Sequence, residues 1–331
     1  MGFVIVTNAD PRPSTPLHGP PILFSPDGRV WKEPTDLSLS DDQSVWLQDV
    51  IYDGTRWVAV GEGSPNHLAI GVSQTANAWE FTEVLAPTSV SQTIRKLIWT
   101  GTEYLIFLQH FKILRSTDLE AWTVTDIPAP GVSVGYLRSA HYNPETQLFS
   151  IHRYGQSFDQ AVDYAYSTNL IDWSWVSITS GIYSWSVQSA HGAYVSNSRK
   201  STNGTAWVDD TDLVGHIGDS TPDAMAYGND IWLATGSPPV RSTDGVSWSP
   251  VVDEKIPILG NALSHITFDD ITEQFIHFAS TGTYDYYLLT KDGATWESVP
   301  LMMAQDSPAT RMSSASGPVG GGWRIGKIGL G

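Results

Sequence analysis

Cysteine is absent from this 331-residue chain, which excludes disulfide bracing, thiolate nucleophiles and Cys-based metal sites together. Basic residues are scarce: 18 Lys and Arg stand against 35 Asp and Glu, a net charge of −17 with an isoelectric point near 4.7. The cations are scattered, so nucleic acid, whose phosphates need clustered Lys and Arg, is not an expected partner. The same field repels anionic membranes and polyanionic glycans unless a local patch reverses it. Long apolar runs are missing too. Nothing approaches the roughly 18 residues of a membrane-spanning helix, so no membrane insertion is expected. Met1 to Asp10 holds one short apolar stretch, Phe3 to Val6, and no basic leader, so no signal peptide is read there. Gly-x-Gly-x-x-Gly and phosphate loops are lacking, as is His-x-x-x-His spacing. No cofactor is expected and no metal ligand set is assigned.

What the chain does contain is one seven-residue phrase, repeated seven times. It runs Ser or Thr, a spacer, usually Asp or Asn, often Gly, two spacers, then Trp. The copies begin at Ser25, Ser73, Ser116, Ser167, Ser201, Ser242 and Thr290. They end on Trp31, Trp79, Trp122, Trp173, Trp207, Trp248 and Trp296, half of the 14 tryptophans. Successive copies average about 44 residues apart, the length of a four-stranded propeller blade. Around each copy the sequence alternates apolar and polar residues between Gly, Asn and Asp turns. Val45–Tyr52, Arg56–Val60, Leu68–Ser73 and Trp79–Val84 read as four strands of one blade. Leu97–Trp99 with Tyr104–Leu108, Ala224–Tyr227 with Ile231–Thr235, and Ile266–Phe268 with Gln274–Phe278 repeat the frame. The expected fold is an all-β, seven-bladed propeller of four-stranded antiparallel blades in one domain.

Within the phrase, a short oxygen-bearing side chain bonds the local backbone and Gly relieves a positive φ. Asp27, Asp118, Asp244 and Asp292 keep the acid, Asn169 and Asn203 replace it, and Thr75 departs. Gly stands next at 28, 204, 245 and 293, and Ala76, Leu119 and Leu170 replace it elsewhere. The Trp opens the next strand and buries a large ring between sheets.

The first copy has only about twenty residues before it, too few for two inner strands. Met312–Gly317 and Gly322–Gly326 resemble those missing strands, with Trp323 matching Trp57 and Trp232. The C-terminal strands are therefore expected to pair with the N-terminal hairpin Ile22–Lys32, so that residues 22–38 and 309–331 share one blade. Residues 1–21, a strand at Phe3–Thr7 followed by five prolines, stand ahead of the propeller at 22–331 and read as a stiff lead-in whose strand pairs with the ring, or as an attachment arm to a larger assembly.

The phrase resembles the Asp box, or BNR repeat, over nearly the whole chain. That family includes sialidases, sortilin-type receptors, photosystem assembly factors and viral surface or tail proteins. The resemblance implies a turn between the two outer strands, remote from the ligand face, so its Asp residues are read as structural. It does not extend to a sialidase site: Pro11-Arg12-Pro13 replaces the early Arg-Ile-Pro element, and Arg115 and Arg241 directly precede the phrase.

Ligand chemistry is then expected in the loops of the opposite face. His152, Arg153, Tyr154, Phe158 and Asp159 mix cationic, aromatic and anionic groups suited to a sugar or peptide. Tyr183, Trp185, Tyr284 and Tyr286 add stacking surfaces. Asp209, Asp210 and Asp212, with His216, Asp219 and Asp223, cluster carboxylates. Asp210, Asp219, Asp223, Asp253 and Glu254 are the acids from which a hydrolase would draw its pair, and the Asp209 group offers oxygens to Ca²⁺ without an EF-hand's spacing. His141, His191 and His265 read as inner-strand packing or channel lining.

The expected function is a non-enzymatic binding or assembly module. By resemblance and elimination it is placed in a virion, as a phage tail or surface protein. Its expected partners are other virion or assembly proteins, reached through residues 1–21, and a cell-surface glycan. The alternatives are a glycoside hydrolase with a sialidase-like propeller and a cytoplasmic assembly factor.

Overall fold

The computed structural model describes residues 3–6, 22–27, 29–38, 45–63, 67–87, 94–128, 135–154, 162–178, 187–190, 192–196, 199–217, 225–236, 238–252, 263–269, 272–280, 285–300, 302–303 and 324–326. They form six four-stranded antiparallel blades, each a meander of neighbouring strands. Blade 1 comprises Trp46–Tyr52, Trp57–Glu62, His67–Ser73 and Ala78–Leu85. Blade 2 comprises Ile94–Trp99, Tyr104–Leu108, Lys112–Ser116 and Thr123–Asp126. Blade 3 comprises Tyr136–Asn143, Leu148–Tyr154, Val162–Ser167 and Ser174–Ile178. Blade 4 comprises Val187–Ala190, Ala193–Ser196, Arg199–Ser201 and Val208–Asp209. Blade 5 comprises Met225–Gly228, Ile231–Ala234, Val240–Ser242 and Ser249–Pro250. Blade 6 comprises Leu263–Asp269, Gln274–Ser280, Asp285–Thr290 and Glu297–Pro300. The first strand of each blade packs beside the first strand of the next. This is a β-propeller.

Seven copies of the phrase predict seven such blades, and the described residues form six. The first copy belongs to a three-stranded sheet in the order Ile22–Ser25, Phe3–Val6, Arg324–Gly326. Phe3–Val6 thus stands between the hairpin and the C-terminal strand, which do not pair directly as expected. It is a central strand rather than part of an arm. The proposed strand at 312–317 lies outside the described residues. Arg324–Gly326 touches the first strands of blades 1 and 6, so the circle of first strands closes through this sheet.

Two parallel pairings flank the terminal sheet. Asp36–Ser38 adds to the outer edge of blade 1 beside Ala78–Glu80, and Met302–Met303 adds beside Val30–Trp31. Both segments lie outside the four-stranded blades. Side chains reinforce the same junctions: Arg29 forks onto Glu297, while Asn77 Nδ2 donates to Thr35 Oγ1 at 3.0 Å. Bidentate and reciprocal bonds of this kind fix orientation as well as proximity.

The repeated phrase folds into one local structure. In the copies from Ser116 onward, the Asp or Asn Oδ1 accepts the amides two and three residues ahead at 2.7–2.9 Å. The Ser or Thr hydroxyl donates to the same Oδ1 and accepts the amide three residues on at 2.9 Å. The fourth position takes a left-handed backbone whatever its side chain: φ is 63° at Ala76, 72° at Leu119, 64° at Leu170 and 65–71° at Gly204, Gly245 and Gly293. Leu119 and Leu170 bear that strain and remain because they are buried in the blade interfaces. Trp79, Trp122 and Trp173 donate their indole N–H to that position's carbonyl, at 2.9–3.2 Å.

The core lies between blades. Blades 1 and 2 meet through Val58, Val60, Leu68 and Ile70 against Leu97, Ile106, Leu108 and Leu114. Blades 2 and 3 meet through Leu105, Phe107 and Ile113 against Leu137, Phe149 and Ile151. A polar clasp recurs at the turn between first and second strands: Tyr104 donates to Asp53, and Asn143 Nδ2 donates to Tyr194 OH at 2.9 Å, 51 residues apart each time.

Candidate functional site

Turns between strands one and two lie on the same face as the repeated phrase. Loops joining strands two and three, and blades to each other, lie on the opposite face. Several candidate residues fall inside elements rather than in these loops. His152, Arg153 and Tyr154 end the second strand of blade 3, and Tyr286 lies in the third strand of blade 6. Phe158, Asp159, Tyr183, Trp185, Asp219, Asp223, Tyr284, Asp253 and Glu254 lie outside the described residues.

The acidic cluster around Asp210 reads as a loop in sequence, but Thr211–Ile217 is a short helix with Leu213 and Ile217 buried. Asp210 caps it and is itself fully buried. Its Oδ1 accepts the Leu213 amide at 3.2 Å and lies 3.4 Å from Lys200 Nζ, while Oδ2 accepts the Trp248 indole N–H at 3.0 Å. Asp212 accepts the Trp248 amide, and Asp209 pairs with Arg199 at 3.1 Å. His216 Nε2 stands 3.9 Å from Asp212 Oδ1, one helical turn away. These carboxylates hold the outer strands of blades 4 and 5 together. Among the described residues no group of three or more His, Asp or Glu converges as a metal site would.

His152 is fully buried, edge-on to the Tyr164 ring at 5.1 Å. Burial pushes its imidazole down to about 4, so it is neutral at physiological pH. Arg153 points to the other side of the blade, with its guanidinium 5.6 Å over the Trp175 ring. Trp175 donates to Pro128 O at 2.8 Å, and Phe111 meets it edge-on. The Arg153–Trp175–Phe111 stack joins blades 2 and 3 near the loop face.

The acids of the phrase face backbone amides. Amides of Ser247 and Val246 outweigh the small desolvation of Asp244 and hold its carboxyl at about 2. Those of Ala121 and Glu120 lower Asp118 likewise. A carboxylate so committed accepts hydrogen bonds and gives up no proton near neutrality.

One set of residues escaped the sequence reading. The first strands of blades 1, 2, 3 and 6 each carry a bulge near their loop-face start. The register skips Gln48, Arg95, Arg138 and Ser264. A bulge re-aims the extra side chain. Gln48 donates to Glu62 at 2.9 Å and Arg95 to Gln109, whose carbonyl accepts the Leu137 amide at 2.9 Å. One residue later, buried Asp49 accepts the Leu97 amide at 2.7 Å and pairs with Lys96 at 3.2 Å, tying blade 1 to blade 2. The signal that marks them is an aliphatic residue followed by two polar ones, visible only once the strands are in register.

No protein-family model matches the sequence, and no curated protein matches it. Solved structures do. A protein from Lactobacillus plantarum superposes with a TM-score of 0.59 at 9% identity, over 91% of this chain and 97% of the other. A Bacteroides fragilis protein named as a 6-phosphogluconolactonase gives 0.56 at 8% identity, over 91% and 96%. YCF48 bound to a D1 peptide gives 0.49 at 14% identity, over 81% and 86%, a likeness too loose to carry an argument. What these structures share with the chain is the fold. Function must come from the chain's own residues.

Proposed function

We propose that the chain is a non-enzymatic binding or assembly module, an Asp-box propeller whose ring is completed by the terminal sheet acting as a seventh blade. The fate of its carboxylates supports this reading most. Where described, the acids of the Asp209–Asp212 cluster and of the repeated turns are committed to amides, indoles and cations of the chain itself. Such groups build a rigid ring and leave recognition to the opposite face, where the strand-two to strand-three loops and the bulged first strands meet. In this reading the protein is a virion component, of a phage tail or surface. It contacts neighbouring virion proteins or a host-surface glycan, and the proline-rich segment after Phe3–Val6 is the attachment arm.

Deleting residues 1–21 removes a strand, so residues 8–20 are instead replaced by an equal length of Gly and Ser. Particles or lysate from the native context are passed over immobilised wild-type and linker variants. A discrete partner retained by wild type and lost from the linker variant supports attachment through the arm. Retention by both assigns binding to the ring and overturns the arm. Turnover of a chromogenic glycoside panel by the purified chain would overturn the non-enzymatic reading.

A further inference from the structure

The junction of blades 3 and 4 differs from its neighbours. Cross-strand pairing puts Ser139, His152 and Tyr164 in one row, and His141, Ser150 and Tyr166 in the next, all on the side facing blade 4. The corresponding rows at the two preceding junctions, Asp49–Val60–Ile70 and Lys96–Phe107–Ile113, place Val60 and Phe107 where His152 stands. Blade 4 answers with polar and aromatic groups. His141 Nε2 meets Ser189 Oγ at 2.7 Å, Thr146 Oγ1 meets Tyr194 OH at 2.6 Å, and Tyr164 donates to Gly204 O. Trp207 packs edge-on to Tyr164 at 5.2 Å. Within this seam the Ser139 Oγ and both ring nitrogens of His152 are buried without a hydrogen-bond partner among the described residues.

We infer that the blade 3–blade 4 junction is an acid-labile seam, opened when His152 takes up a proton that its closed surroundings cannot stabilise. An imidazolium needs two acceptors, and no carboxylate of blade 3 faces it among the described residues. The titratable neighbours are His141, Tyr164 and Tyr166 from blade 3, and Tyr194 from blade 4. The same face of blade 4 carries Arg199, whose partner is Asp209. Arg199 is already cationic and disfavours a second cation in the closed seam. Opening wets His152 and returns it to an ordinary imidazole, so the open form gains population as pH falls below about 6.5. The two preceding junctions carry Val60 and Phe107 at that position and lack this response.

Hydrogen exchange of the full chain tests the seam. After correction for intrinsic exchange, amides of 136–154 and 187–201 should open about 30-fold more readily at pH 5.0 than at pH 7.5. Amides of 46–62 and 94–108 should not. His152→Phe keeps the ring against Tyr164 and should abolish the difference, whereas His141→Gln should retain it. In the wild-type chain, selectively labelled His152 should remain neutral where exposed histidines are charged. An equal acid response at all junctions, or its survival in His152→Phe, would overturn the inference. So would a His152 that titrates near 6.5 in a closed seam, which decides the matter even if His152→Phe does not fold.

Discussion

Changing Asp210 to Asn alters one atom, and the surroundings of that atom set the outcome. Asp210 is fully buried and presents two oxygens to three donors: the Leu213 amide, the Lys200 ammonium and the Trp248 indole. An amide must turn its NH₂ toward either the indole or the helix amide, so a donor meets a donor in both rotamers. Facing Trp248, it leaves a buried N–H unsatisfied, at about 1–3 kcal/mol. Facing Leu213, it forfeits the helix cap, at about 0.5–2 kcal/mol. Lys200 loses its anion in either case, and part of its side chain is solvated, which keeps that loss small. Asp210→Asn should therefore destabilise the protein by about 2–3 kcal/mol. Asp210→Ala, which removes the cap and the indole acceptor together, should cost about 3–5 kcal/mol. Equilibrium urea unfolding followed by tryptophan emission reads both, with Trp248 itself among the reporters. A catalytic acid behaves in the opposite way, because its removal relieves strain held for function. An Asn variant within about 0.5 kcal/mol of wild type that loses an activity would refute the structural assignment.

Position 119 should reverse the usual ranking of small residues. Leu119 sits at a φ of 72° with its side chain buried, so Leu119→Ala loses packing and keeps the strain, while Leu119→Gly loses packing and relieves it. Thermal unfolding should rank the Gly variant above the Ala variant by about 1 kcal/mol, and the reverse order would mean the turn relaxes. Tyr104→Phe should cost about 1–2 kcal/mol at neutral pH by stripping the hydroxyl from Asp53 and Arg56. Burial opposes the Asp53 charge, but the Tyr104 hydroxyl and the Thr55 and Arg56 amides outweigh it and hold the carboxyl below its usual range. That contribution is present above the unfolded value near 4 and is lost as pH falls through the lowered one, so the two proteins should converge in acid. Unfolding measured from pH 7 to pH 3 checks this, and a constant gap would discount the bond.

The blade frame was legible because seven indoles and their turns recur at fixed spacing, and because hydrophobic alternation marks strands. The left-handed position was legible where Gly occupied it. Leu119 and Leu170 hid it, since burial there outweighs a strain that sequence does not display. The number of four-stranded blades and the order of the terminal sheet were misread for one reason. Phe3–Val6 is four apolar residues cut off by prolines, and local sequence does not show that its partners lie twenty and more than three hundred residues away. Asp210 resembled a ligand-face acid because the indole that holds its second oxygen, that of Trp248, lies 38 residues away. The clasp from Asp53 to Tyr104 and that from Asn143 to Tyr194 share a spacing, but one uses a carboxylate and the other an amide, so no single motif exposes them. The bulges at Gln48, Arg95 and Arg138 appear only in the register. His152 looked like a loop residue, and the second strand of blade 3 runs through it to Tyr154.

Phe3–Val6 is made about 320 residues ahead of its partner Arg324–Gly326. At about 5–20 residues per second, synthesis leaves the inner edge of that strand unpaired for roughly 15–60 s. The six blades can assemble in that interval, with the ring held open as a cuff. An open edge of this kind accepts any strand of matching register. On a crowded message the nearest such strand belongs to the neighbouring copy, and exchange would make linked rings in which every contact is native. Translation speed and ribosome spacing, rather than any residue of the interface, then decide between single rings and chains of them.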